Sequence, residues 1–350
     1  MNTFGDTFTF TSFGESHSAA IGGVLDGVPA GLHIDFAMIR EALDRRAART
    51  TSPLPPSQKG ENIPPTPFLE GGEITTAHSL PSERGVGGVS GVSAVSGVSS
   101  RALHEPDAVE WLSGVIDGVT LGTPIAFLIR NKNQRPEDYE ALKHTFRQGH
   151  ADSTYAAKYG IRDWRGGGRA SARETAARVV AGSVAQQLLA EQGINIKAQL
   201  VQVGAETRPE HFDEVIARYR AEGDSIGGII ACEVQGLPAG LGEPIFDKLQ
   251  AHLAYAVMSI NACKGFDYGS GFEGVTEPGS IANRQSGGML GGITDGTALT
   301  FRCVFKPTPS TPKAGVNGRH DACVAVRAVP VVEAMTALVL MNFMTIWQNK

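Results

Sequence analysis

The chain has 350 residues, 41% of them hydrophobic and 19% charged, with a formal net charge of −5. That length supports one large or two ordinary cores, and the acidic balance excludes a general nucleic-acid binder, so arginine-based recognition must come from local clustering. Cys232, Cys263, Cys303 and Cys323 lack any CxxC spacing, which excludes a zinc ribbon or disulfide framework and predicts buried thiols in a cytoplasmic setting. The first residues carry no basic and apolar signal pattern, and no run of about 18 apolar residues predicts a membrane span. Residues 4–13 read as a strand and Ile21–Leu25 as a second, ending at the Asp26-Gly27 turn signal. Ile34–Arg49 has helical periodicity through Ile34, Met38, Ile39 and Leu43, with Arg45, Arg46 and Arg49 on its polar side. Residues 51–101 are rich in proline and then in Gly-Val-Ser repeats; they predict a low-complexity, flexible insertion.

Beyond Asp107, Val109–Val115 and Pro124–Ile129 read as strand pieces and Glu137–Thr145 as helix. Ser171 to about Glu191 predicts the longest helix. Strands are predicted over Ile194–Val203, Ser225–Val234 and Leu299–Phe305, and helices over Phe212–Glu222, Pro244–Asn261 and Val329–Trp347. Gly287–Gly296 reads as a glycine-dense loop. No regular alternation of strand and helix appears, so the expected class is α+β layers and not a doubly wound sheet.

Residues 165–183 are the most informative stretch. Three glycines lie between Arg165 and Arg169, and an Ala-rich helical pattern follows. Glycines permit close backbone approach. A helix start directs N–H groups and positive potential back at that place. The segment is either a glycine-rich loop with a solvated basic helix start or a cradle for an anion such as phosphate. No phosphate loop of the Gly-x4-Gly-Lys-Ser/Thr type occurs. Three other glycine- or turn-rich segments concentrate polar groups: Gly14-Glu15-Ser16-His17, Arg147-Gln148-Gly149-His150 and Gly318-Arg319-His320-Asp321. Each pairs a titratable group with glycine or arginine, as general acid–base chemistry on an anion requires. Asp321 alone reads equally as a base or as a turn cap.

The sequence resembles the chorismate synthase family. The resemblance is carried by Gly14–His17, Asp26–Pro29, Arg45-Arg46, Gly149–Asp152, Tyr159–Asp163, Arg165–Glu174, Ser259–Ala262, Ser286–Gly292, Lys306–Ser310 and Gly318–Pro330. It implies a single β-α-β layered α+β sandwich over 1–350, assembled as a cytoplasmic homotetramer, with neither nucleic-acid nor membrane partners. It also implies a carbon–oxygen lyase of the shikimate pathway to aromatic amino acids. Such an enzyme eliminates phosphate 1,4-anti from 5-enolpyruvylshikimate 3-phosphate and depends on reduced FMN; NADPH serves as reductant in members that reduce their own flavin. By the same resemblance His17 protonates the departing phosphate, His150 sits beside the flavin, and Asp321 assists proton removal from C6. Flavin contacts are implied for Arg169, Ala170, Ser171, Asn261, Ala262, Gly291, Lys306, Pro307, Thr308, Pro309, Ser310 and Arg319, and NADP or substrate contacts for Arg46, Arg49 and Arg147. The chain departs from the family pattern at Ala47-Ala48-Arg49, at Gln148 and at Ala170. It also lacks a clear counterpart of a family arginine near 51–101, where Arg49 or Arg101 are the substitutes in reach.

Overall fold

The computed structural model describes residues 2–48, 104–316 and 320–348. The predicted insertion over 51–101, together with Arg49, Arg101 and Arg319, lies outside the described residues.

Two antiparallel sheets face each other across a layer of helices. The first contains β1 (Thr3–Phe4), β2 (Thr9–Phe13), β3 (Ala20–Asp26), β5 (Val109–Trp111) and β8 (Ile125–Arg130), in the order β1-β2-β3-β8-β5. Between β3 and β8 the chain also forms β4 (Ala30–His33), β6 (Val115–Ile116) and β7 (Val119–Leu121), a small separate sheet. The second large sheet has the order β11-β14-β10-β9, from β9 (Asn195–Val203), β10 (Gly228–Gln235), β11 (Cys263–Tyr268) and β14 (Leu299–Phe305). Alternation decides which side of each sheet is buried: Ile125, Phe127 and Ile129 of β8, and Leu299, Phe301, Cys303 and Phe305 of β14, face the helices.

The helix layer contains α1 (Phe36–Arg46), α3 (Thr175–Glu191), α5 (Leu249–Met258) and α6 (Ala325–Gln348); α2 (Asp152–Tyr159) and α4 (Phe212–Ala221) lie outside it. Helix α3 packs on β3 and on β9, and α6 on β2 and on β9 and β10, so both touch the two sheets at once. This arrangement explains why 18 of the 24 residues of α6 are buried. A helix apolar on all sides needs such a location or a membrane. With a mean hydropathy of 1.7 over its most apolar 18-residue window, α6 is long and apolar enough to span a bilayer, which the sequence reading did not expect, yet 83% of that window is buried inside the protein. Gly182 sets the α3–α6 crossing: a Cβ there would lie 2.3 Å from Ala334 Cα.

Several boundaries differ from expectation. Helix α1 starts at Phe36 because the Asp35 carboxylate accepts the Ala37 and Met38 N–H groups. The longest described helix is α6, not the Ala-rich one. Its start at Ala325, one turn before Val329, places Pro330 inside the helix and not in its first turn. Glu137–Thr145 forms a 3-10 turn over Pro136–Leu142, Pro244–Asn261 contracts to α5, and Gly287–Gly296 contains a short hairpin, β12 (Met289–Leu290) with β13 (Ile293–Thr294). Ser171 caps a 3-10 turn, Ala172–Glu174, and the α-helix begins only at Thr175. The four cysteines are free and buried.

Candidate functional site

The Gly166–Gly168 run sits against the turn that follows β2. Gly166 has φ +70, and a Cβ added there would lie 2.5 Å from His17 Cε1 and 2.6 Å from His17 Nδ1. The close approach that glycine permits is thus made by a side chain of this protein. His17 is 3% exposed. Its Nδ1 lies 3.0 Å from Ser16 Oγ, and its ring meets Tyr139 edge-on at 5.2 Å. The Ser16 N–H donates to Gly168 O, which pins the turn to the glycine run.

From Gly166 the contacts continue to Arg147, which donates Nη2 to Gly166 O at 2.7 Å and holds Asp152 through Nε (2.8 Å) and Nη2 (2.9 Å). Burial pushes the Asp152 carboxyl up, but hydrogen bonds from the Arg147 side chain and backbone outweigh it and hold the group well below the usual carboxylate range. His150 Nδ1 lies 3.0 Å from Asp152 Oδ1. Burial and then the Arg147 charge lower the His150 pKa, against an opposing pull from Asp152, so the neutral imidazole is favoured. Arg147 therefore braces Asp152 and the glycine run, where the resemblance implied a ligand contact.

Lys306 Nζ donates to Gly149 O at 2.9 Å, and its backbone N–H donates to Ala262 O. This joins the segment Lys306, Pro307, Thr308, Pro309, Ser310 to the His150 loop. Thr308 O accepts the Ser225 hydroxyl at 2.7 Å. Ala262 has φ +71, a conformation that costs a non-glycine residue free energy and clusters at functional sites. Asn261 donates Nδ2 to Arg169 O at 3.4 Å, while its Oδ1 is buried with no hydrogen-bond donor among the described residues. Arg169 closes the circuit: it donates to Ser12 Oγ at 2.6 Å and to Gly14 O at 3.2 Å. Ala170 N–H caps Gly167 O, and Ser171 Oγ accepts the Arg173 N–H. Thus His17, Arg147, His150, Arg169, Asn261, Ala262 and Lys306 form one continuous set of contacts around the glycine run.

A second cluster lies on the other side of the 165–175 segment and is buried. Arg46 is 1% exposed and donates to Thr175 Oγ1 at 2.9 Å and Ala172 O at 2.6 Å. Its Nη1 lies 3.8 Å from Asp107 Oδ2. Burial, and then the neighbouring Arg327, lower the Arg46 pKa well below its ordinary value. Arg173 pairs with Asp107, and Arg327 donates to Asp321 Oδ2 at 2.8 Å and to Arg46 O at 3.2 Å. Three arginines and two aspartates thus meet away from water, where each buried charge needs an opposite partner. Arg46 braces the 172–175 segment in this arrangement and offers little surface to a dinucleotide.

Gly291 does not join these residues. Leu249 at the start of α5 donates to Gly292 O, whereas Asn261 follows the other end of that helix. A 10-residue helix separates its ends by about 15 Å at 1.5 Å per residue. A cavity of about 230 Å³, lined by Glu41, Arg45, Asn195 and Glu333 among others, also lies apart from His17. Sequence reading gave no site role to Asp107, Asn131 or Arg327, which hold the buried cluster together. Asp107 and Asn131 had no signal beyond a lone acidic or amide residue beside a predicted element, whereas Arg327 lay in the Gly318–Pro330 segment without being singled out.

Comparisons with known proteins converge on one family. The family model for chorismate synthase matches residues 8–61 and 93–345. Similar relatives include chorismate synthases from Phocaeicola vulgatus, 39% identical over 98% of this chain and 97% of the relative, and from Methylobacillus flagellatus, 41% identical over 97% and 94%. A crystal structure of chorismate synthase superposes with a TM-score of 0.69 at 25% identity, covering 98% of this chain and 93% of that one. The alignment with the Phocaeicola relative runs to 396 positions, longer than the 350-residue chain, so that relative carries tens of residues without counterpart here.

Proposed function

The chain belongs to the chorismate synthase family, and we propose that it catalyses the family's reaction, the 1,4-anti elimination of phosphate from 5-enolpyruvylshikimate 3-phosphate to chorismate in the presence of reduced FMN. In that reaction the C3–O bond breaks, phosphate leaves, C6 gives up a proton, and a second ring double bond forms. The observation that carries the reading is the buried cluster of Arg46, Arg173 and Arg327 against Asp107 and Asp321. Its arginines are linked through Asn131 to the His17 turn, and arginine suits a substrate bearing a phosphate and carboxylates.

His17, packed under Gly166 and next to Ser16, is the proposed donor of a proton to the departing phosphate oxygen. Asp321, anchored by Arg327, is the carboxylate proposed to support proton removal from C6. His150, held toward its neutral form by burial and Arg147, is proposed to present an uncharged imidazole to the cofactor. The residues present fit a flavin: Asn261 offers a buried acceptor in need of a donor, and strained Ala262 brings backbone to the same place. Arg169, Ala170, Ser171, Asn261, Ala262 and the run from Lys306 to Ser310 would hold it. When bound, reduced FMN supplies transient electron density that lets phosphate depart without net redox change. Gly291, Arg319, a cytoplasmic location and a homotetramer belong to the same proposal through family resemblance, as does NADPH as reductant. Residues 51–101 are proposed to be dispensable for folding, because they lack core-forming periodicity.

A second reading, a family member that binds flavin without turnover, is favoured by one observation: residues 62–92 fall outside the family match while relatives carry residues missing here. Titrating FMN and 5-enolpyruvylshikimate 3-phosphate separately, then measuring anaerobic turnover with dithionite, separates the two. The proposed function predicts dependence of turnover on all three components; binding of both ligands without product supports the second reading.

A further inference from the structure

We propose that Asn131 is a positioning residue that fixes His17 relative to the buried arginine cluster; this rests on the proton-donor reading of His17. Asn131 directly follows β8 and is 7% exposed. Its Nδ2 donates to Glu15 O at 3.1 Å and to Ser18 O at 2.8 Å, the two carbonyls that bracket Ser16 and His17. Its Oδ1 accepts Arg173 Nε at 2.8 Å. Its backbone N–H donates to Ala19 O at 3.0 Å. Both amide hydrogens and the amide oxygen are therefore used, and the amide orientation is fixed by its neighbours.

The same amide clamps the two ends of the His17 turn and grips Arg173. Arg173 in turn pairs with Asp107, which lies 3.8 Å from Arg46. An anion recruited by the arginines and a proton delivered by His17 must meet at one bond, so their separation has to be set by something rigid. Strand β8 supplies the rigid base: it pairs with β3 on one side and β5 on the other. Asn131 projects that rigidity into both halves of the site. A side chain with only donors or only acceptors could not satisfy two carbonyls and a guanidinium together.

The test is Asn131→Asp. The shape is kept and Arg173 gains a charged partner, but the Glu15 and Ser18 carbonyls face a carboxylate oxygen and the clamp on the turn is lost. The expected result is a cooperative melt, a kcat lower by about 10- to 100-fold, the range that a displacement approaching 1 Å produces, and a KM for 5-enolpyruvylshikimate 3-phosphate within about threefold of the parent. Independently of turnover, the His17 imidazole NMR signals should move, because their shifts depend on the edge-on Tyr139 ring at 5.2 Å. Unmoved His17 signals with unchanged kcat overturn the proposal. Should Asn131→Asp not melt cooperatively, Asn131→Ala carries the same NMR test, and unmoved His17 signals there overturn it equally. Absence of turnover in the parent protein would defeat the functional reading alone, since the NMR readout needs no catalysis.

Discussion

Gly166→Ala separates two roles that glycine can play in the 165–169 segment. At φ +70, an alanine in the left-handed region costs roughly 1–2 kcal/mol in backbone strain alone. Gly168, at φ +54, carries the same penalty, but its added Cβ would find nothing closer than Asp163 Cβ at 3.9 Å. At Gly166 the Cβ would lie 2.5 Å from His17 Cε1 and 2.9 Å from Ser16 Oγ. Ordinary carbon contacts are about 3.5–4.0 Å, so the imidazole must retreat by about 1 Å. A displacement of that size at a reacting group costs about 100-fold in rate. Both variants should lose about 1–2 kcal/mol to backbone strain in a denaturant melt, with Gly166→Ala losing about 1–3 kcal/mol more by crowding buried His17, and Gly166→Ala alone should lose about two orders of magnitude in anaerobic phosphate release. Equal turnover in the two variants would refute the claim that the glycine run exists to seat His17.

Replacing His17 by Ala should lower turnover by about 10²–10⁴-fold, the usual consequence of losing a general acid, with FMN affinity measured by fluorescence quenching unchanged. Arg147→Met leaves the buried Asp152 without its main partner and should destabilise by about 3–5 kcal/mol. It should also raise the His150 pKa in an NMR titration, because the Arg147 charge lowers it in the parent. The folded pKa values of His150 and Asp152 both lie below their unfolded values, so their contributions to stability are present above those unfolded values and vanish as pH falls through the folded ones. The acid limb of the stability curve should accordingly flatten in Asp152→Asn. Glu333 behaves oppositely: burial in α6 raises its pKa despite Arg45 and the Ala198 N–H, so its contribution is present below the unfolded pKa and lost as pH rises through the folded one. Relative to the parent, Glu333→Gln should gain stability as pH rises above the ordinary carboxylate range, measured by thermal melts; a gain that shrinks with rising pH contradicts that assignment.

Most strands of the two large sheets were legible because alternation is a local property, but β4, β7 and β11 were not predicted. Leu299–Phe305 matches prediction residue for residue, with every second side chain buried. Helix ends were less legible, since they depend on single competing hydrogen bonds. Asp35 cuts short the start of α1, and Ser171 stabilises a 3-10 turn where an α-helix was expected. The expected helix began at Val329, one residue before Pro330, yet tertiary burial between two sheets carries α6 through that proline. The candidate site was legible as a set of segments but not as an arrangement. An arginine in a sequence reads as exposed, and no local pattern announces that Arg46 is buried with Arg173 and Arg327. Nor does the glycine run reveal that its close neighbour is His17, almost 150 positions earlier in the chain.

The most direct test of the account is a single-turnover reaction under anaerobic conditions with 5-enolpyruvylshikimate 3-phosphate and pre-reduced FMN, following phosphate, product and flavin absorbance together. The account predicts one phosphate and one chorismate per active site, with the flavin still reduced at the end. Full binding of flavin and substrate with the phosphate ester intact would contradict it.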